Sequence, residues 1–299
     1  MSNLIDQDGN GLGYEFDYEN HEALVAGSAP WSSVMEVGDA PPEVDFGQGL
    51  SIRNQGNRPS CRGHSITACA RMGARLAAGA AIDLDEDGNA GEAIQDDFSP
   101  LWAWVRAQVH GGTVGRNRGA TMGGGVKLGT DEGFAREVDW PYSEPHTTNI
   151  PQAVAQSANR FRFARYQMMQ DESQVHAWFA SGQGPVEWGK TWPFPWVAKC
   201  LVDSAPSSGG GHATAIRGYW TGERVARLVP AIASRVRTEP YVYVCENSHG
   251  SNAQYQGLYF VTRLGMASVL KARWTELMGW SDLSYPLVRR FDWAAAKLA

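Results

Sequence analysis

The sequence predicts an α+β chain, with a helical first half and a strand-rich second half forming two lobes that meet at a cleft. Three observations carry that expectation. From Cys61 onward the apolar and small residues Ile66, Cys69, Ala70, Met72, Gly73, Leu76 and Ala77 recur at three and four, the period of a helix with one buried face. Alternating and aromatic runs gather instead in the second half, beginning with "RFRFARYQMM". The chain has 299 residues, 43% hydrophobic and 19% charged, enough for two domains or for one large domain built from two lobes.

Taken in order, the chain opens with an arm, residues 1–40. Residues 1–50 carry ten Asp or Glu and no Lys or Arg, the first basic residue being Arg53. Such an arm does not invite nucleic acid. It reads as a solvated leader, or as a segment that docks on a basic surface of a protein partner or a second copy. Its start, "MSNLIDQDGNGLG", lacks the basic end and apolar core of a signal peptide, and no run is long enough to span a membrane. Four cysteines (Cys61, Cys69, Cys200, Cys245) with no CxxC pair make neither a disulfide framework nor a structural zinc site. A cytoplasmic or virion-associated location without cofactor is the resulting expectation.

Residues 41–60, "PPEVDFGQGLSIRNQGNRPS", read as extended chain and turns, leading to a helix from Cys61 that Ser60 caps and that stops by Gly79. In "DLDEDGNAGEAI" the residues Asp83, Asp85, Asp87 and Gly88 match the first half of a calcium loop. The twelfth position is Ile94 where a bidentate Glu belongs, so an acidic surface turn is the stronger reading and calcium the weaker. Ser99-Pro100 starts a helix carrying Trp102, Val105 and Val109 that ends at Gly111-Gly112. "GGTVGRNRGATMGGG" lacks the GKS or GKT of a phosphate loop and reads as turns, before a short helix near Val126–Asp131.

In the second half, Asp171 caps a helix through Trp178 that ends at Gly182. His212–Trp220, Tyr241–Glu246 and Gly257–Arg263 are strand candidates, separated by a polar insertion at 221–240. A helix over Met266–Met278 and a tail to residue 299 close the chain. The core domain is thus 41–265, with a helical lobe at about 55–150 and a β lobe at about 151–265.

Chemistry concentrates on four residues. A thiol at a helix N-terminus is favoured as thiolate by the unpaired N–H groups there, and Cys61 stands at that position. His212 begins one strand candidate and Asn247 ends another, 151 and 186 residues after Cys61. As neighbours in a sheet they can hydrogen-bond, the amide fixing the imidazole tautomer so that its other nitrogen serves the thiol as base. Gln55, six residues before Cys61, can donate to a developing oxyanion together with the Cys61 N–H.

The order Gln55, Cys61, His212, Asn247 resembles that of the papain-like cysteine peptidases. "NQGNRPSC" resembles that family's glutamine-to-cysteine loop, "GHATAIRGY" its histidine segment, and "ENSHG" with "GLYFV" its Asn-Ser-Trp-Gly motif and following strand. "PPEVDFG", "FSPLWAWV" through "EGFAREVDWPY", and "GPVEWG" match connecting landmarks, as in bacterial and phage members. The resemblance implies a two-lobed fold and hydrolysis of peptide bonds through a thioester, with no metal. Several positions depart from the pattern: Arg62 replaces the Trp after the nucleophile, and Arg58 a frequent cysteine. His64 takes an aromatic slot, His249 replaces the Trp that covers the Asn–His bond, and the 40 residues before the domain are expected to be too few for the family's usual helical propeptide. His64 is expected to fill space, His249 to give Asn247 a polar cover, and "WGKTWPFPW" to pack as wall. Two other readings stay open: a papain-fold structural or adaptor protein, for instance of a phage virion, and the same triad aimed at cell-wall or isopeptide bonds.

Overall fold

The computed structural model describes residues 12–16, 21–28, 40–78, 98–192 and 194–284. The calcium-loop candidates Asp83, Asp85 and Asp87 lie outside the described residues.

The N-terminal part contributes a short strand β1 (Tyr14–Glu15), helix α1 (His21–Gly27) and strand β2 (Val44–Asp45). The helical lobe follows with α2 (Cys61–Ala78), α3 (Pro100–Gly111), β3 (Ala120–Thr121), α4 (Met122–Lys127), a π-helical turn (Leu128–Glu132) and α5 (Gln152–Ala158). The expected face of α2 is the buried one, with Ile66, Cys69, Ala70 and Met72 fully inside. Ser60 does not cap α2 as expected; its hydroxyl turns to Tyr142 Oη (2.6 Å) and His64 Nδ1 (3.4 Å). Ser99 does cap α3, accepting from the Trp102 N–H (3.0 Å), and Gly112 ends that helix in the left-handed region at φ 68°.

One correction concerns the glycine run read as turns. Gly123, Gly124 and Gly125 lie inside α4, where α3 presses so close that a Cβ on Gly124 would sit 2.1 Å from the Ala107 carbonyl oxygen. Close helix packing, not turning, requires glycine there.

The second lobe is built on an eight-stranded sheet. Its members in chain order are β2, β4 (Phe163–Met169), β5 (Val186–Trp192), β6 (Leu201–Val202), β7 (Gly210–Trp220), β8 (Val242–Glu246), β9 (Leu258–Val261) and β10 (Glu276–Leu283). Across the sheet the order is β4-β10-β5-β7-β8-β9-β6, with β2 added against β7. Helix α6 (Glu172–Ala180) is capped by Asp171, whose carboxylate accepts from the Gln174 N–H at 2.9 Å. The polar segment 221–240 folds into α7 (Gly222–Leu228), a 3₁₀ turn and α8 (Ala233–Val236), and buries Val225, Ile232 and Val236 with Trp220 and Phe260.

The C-terminal reading needs the largest correction. The helix expected over Met266–Met278 is α9 (Arg263–Leu270), and the chain then enters β10, inserted between β4 and β5. Seven of the eight β10 residues are buried, so the strand shows no apolar–polar alternation to read. The folded domain therefore runs past 265 to the end of β10.

The described parts of the acidic arm also differ from a solvated leader. Leu12, Tyr14 and Leu24 are buried, and Tyr14 and Leu24 join the same apolar core as Cys61, Ala213 and Trp280. No described helix is long and apolar enough to cross a membrane.

Candidate active site

Cys61 is the first residue of α2, and the turn before it delivers the thiol to the sheet. His212 and Asn247 come from antiparallel neighbours, His212 from β7 and Asn247 from the residue after β8. The structure brings these two together: His212 Nε2 lies 2.8 Å from Asn247 Oδ1. The amide orientation is set independently, because Oδ1 also accepts the Ser248 N–H (2.8 Å) while Nδ2 donates to Gln254 Oε1 (3.1 Å). With Oδ1 an acceptor, Nε2 must carry the imidazole proton, and Nδ1 is left as the basic nitrogen. That Nδ1 is buried and has no hydrogen-bond partner.

Cys61 Sγ and His212 Nδ1 form no hydrogen bond. The thiol instead accepts two backbone N–H groups, from Ala213 (3.3 Å) and from Gly13 (3.1 Å). Gly13 belongs to the N-terminal segment, which lies over the nucleophile and leaves Cys61 0% exposed. The segment is held as a strand: β1 pairs in parallel with β3, and Gly13 O accepts the Ala120 N–H at 2.9 Å. Tyr14 fills the space that Gly189 leaves open, where a Cβ would stand 2.4 Å from its ring. Its hydroxyl donates to Glu276 Oε2 (2.5 Å), while His21 Nδ1 lies 2.9 Å from Oε1 of the same buried carboxylate.

This enclosure explains the electrostatics. Burial pushes the Cys61 thiol up, against the N–H groups of Ala213 and Gly13 and the Lys190 charge, which pull it down. Burial holds His212 well below its ordinary value, reinforced by His249 and Lys190 and opposed by the Asn247 hydrogen bond. Glu276 is raised by burial.

Gln55 is buried one loop away. Its Nε2 donates to Arg58 O (2.8 Å), its Oε1 accepts the Ser248 hydroxyl, and its N–H donates to Ser248 O (2.8 Å). The glutamine loop is thereby tied to the residue after Asn247, across the two lobes. His64 turns away from the thiol: its Nδ1 meets Ser60, its ring packs edge-on against Tyr142 at 4.7 Å, and burial drives its pKa down to about 3. His249 covers the Asn247 amide, its Nδ1 being 3.1 Å from Nδ2. Arg62 is buried, reaches the carbonyls of Thr121 (3.3 Å) and Met122 (3.2 Å), and forms an ion pair with Glu187 of β5.

Sequence reasoning missed three participants. Trp192 lies over His212 at 4.7 Å, so an indole shields this histidine from β5 rather than from the position held by His249. Lys190, on the same strand, is fully buried beside it. The third is the segment Leu12–Phe16; the alternation of Leu12, Tyr14 and Phe16 inside an acidic stretch was its signal. Among the described residues no cluster of His, Cys, Asp and Glu is arranged to hold a metal ion.

No protein-family model matches the chain, and no curated protein matches it in sequence. Solved structures do match it. Xylellain, a cysteine protease from Xylella fastidiosa, superposes with a TM-score of 0.65 at 18% identity over 91% of this chain and 96% of that one. Procathepsin B S9 from Trypanosoma congolense gives 0.60 at 12% identity over 91% and 86%. The bromelain protease of Ananas comosus, solved with the E64 inhibitor, gives 0.56 at 14% identity over 81% and 99%. Helical lobe, multi-stranded sheet and these likenesses together show that the chain has the two-lobed α+β fold of the papain-like cysteine proteases.

Proposed function

We propose that the chain is a cysteine peptidase acting on peptide or protein substrates through Cys61, His212 and Asn247. The observation that carries this reading is the His212–Asn247 pair, whose geometry leaves a buried basic Nδ1 in the residue next to the one that bonds the Cys61 sulfur. Nδ1 takes the thiol proton as Sγ attacks the scissile carbonyl, then delivers it to the leaving amine; water hydrolyses the thioester. Asn247 holds the ring in the required tautomer. The Cys61 N–H and the Gln55 side-chain amide are the donors assigned to the oxyanion. Substrate reaches the thiol only when the Leu12–Phe16 segment leaves the cleft.

The test is labelling with iodoacetamide or an epoxide. Cys61 is expected to react, the reaction to disappear in His212→Ala, and the rate to rise in Tyr14→Ala, which loosens the segment from Glu276. A Cys61 no more reactive than Cys69 in Tyr14→Ala would remove the enzymatic reading. A second reading, a non-catalytic component built on the same fold, is favoured by one observation, the filled cleft. It predicts no turnover in either form of the chain.

A further inference from the structure

One buried titratable group beside the site has no part in the reaction just described. Lys190 stands directly opposite His212 in the antiparallel β5–β7 pairing. Residues so paired share a face of the sheet, with Cβ atoms about 4.5–5.5 Å apart. Its side chain is fully buried, and among the described residues no carboxylate pairs with it. Nζ donates to Thr214 Oγ1 at 2.6 Å and to Trp188 O at 3.3 Å, and the Thr214 hydroxyl lies 2.7 Å from Tyr259 Oη. Ring faces complete the enclosure: Nζ is 4.8 Å from the Trp188 ring, 5.5 Å from Trp192, and 5.9 Å from Phe194 and from Tyr259. Trp192 is the ring that also covers His212. An ammonium without a counter-ion is costly to bury, and aromatic faces offset part of that cost.

We propose that Lys190 is a positioning residue for the peptidase reaction, an ammonium boxed opposite His212 whose field sets the charge state of the Cys61–His212 couple. The proposal rests on the catalytic assignment above. Its sign follows from Coulomb's law: a nearby positive charge favours the thiolate over the thiol and the neutral imidazole over the imidazolium. Both groups are therefore pulled to lower pKa, as their environments record. The Lys190 charge is felt by Cys61 of α2, His212 of β7 and Cys245 of β8, and Nζ lies 5.9 Å from the Tyr259 ring of β9; His212 in turn feels His249 and His64. Burial brings Lys190 itself down to about 7, against the opposing pull of Cys245 and Cys61. The ammonium is thus charged on the acid side of neutrality and loses its charge on the alkaline side.

The test is the pH profile of kcat/KM for a peptide substrate, on the full chain and on Lys190→Met and Lys190→Arg. In Lys190→Met the acid limb is expected to move to higher pH by about one unit, while the alkaline limb, where the ammonium is already discharged, stays in place; in Lys190→Arg the acid limb stays near its original position. A Lys190→Met enzyme with lowered kcat and an unmoved acid limb would show a packing role only and overturn the proposal. If Lys190→Met does not fold, Lys190→Gln carries the same expectation while keeping a donor for Thr214. If neither the unsubstituted chain nor Tyr14→Ala shows turnover, the catalytic reading fails by itself. Lys190 is then read by NMR titration of the His212 ring, whose pKa must rise in the neutral variant; an unchanged value overturns the proposal.

Discussion

Arg62 and Lys190 are both fully buried cations whose charge acts on the Cys61 thiol, yet Arg62 faces a carboxylate while Lys190 faces ring faces and a hydroxyl. Arg62 binds two carbonyls of the helical lobe and Glu187 of the sheet, so its charge is spent on holding the lobes together. Glu187 is further held by Ser65 and by the Trp280 indole (3.3 Å). Burial lowers Arg62 only to about 10, which leaves it charged throughout the working range. Lys190 is brought to about 7 by the same cause and titrates where enzymes work. A paired buried ion is a structural joint, whereas an unpaired one remains an adjustable field.

That contrast can be broken by experiment. The largest effect is expected at the joint. Arg62→Ala leaves Glu187 buried without its cation and should cost about 3–5 kcal/mol in urea unfolding, while Arg62→Met combined with Glu187→Leu should recover most of it. A full loss in the double variant would mean that the charges themselves, not their mutual satisfaction, hold the lobes. A smaller effect is expected at Lys190. Its folded pKa lies below the unfolded one, so the unfolded chain binds more protons between about pH 7 and the ordinary lysine value. The stability contributed by this site therefore rises with pH through that window and is flat below it. Lys190→Met should remove this rise, seen as a flatter curve of unfolding free energy against pH; an identical slope would show that Lys190 does not titrate there. The smallest effect belongs to a neutral control in the helical lobe. Ser99→Ala, which removes the α3 cap, should cost about 1 kcal/mol and leave every pH profile in place.

What could be read from the amino-acid order divides along physical lines. Cys61 at a helix start and His212 and Asn247 at the ends of strands were legible because each is announced by its own neighbours, a turn or an apolar run. The Ser99 and Asp171 caps were legible for the same reason. Strand β10 was not, because burial on both faces removes alternation. Glycines 123–125 were read as turns because small residues look alike whether they bend a chain or admit a neighbouring helix. Lys190 was passed over as part of a wall. Its meaning lies in the residues across the strand, and cross-strand pairing is a property of register that the local sequence does not carry. The arm misled by composition, since ten acidic residues hid the apolar triplet Leu12, Tyr14 and Phe16.

The place of β10 has a consequence for how the chain is made. Residues Glu276–Leu283 are translated after every other described strand, yet they lie between β4 and β5 and join them. A nascent chain on the ribosome can already expose Cys61, His212 and Asn247 while its sheet is still in two pieces. The same late strand brings Glu276, the carboxylate that anchors Tyr14 and His21. Completion of the sheet and fastening of the N-terminal segment across the thiol therefore arrive in one step, when β10 is added.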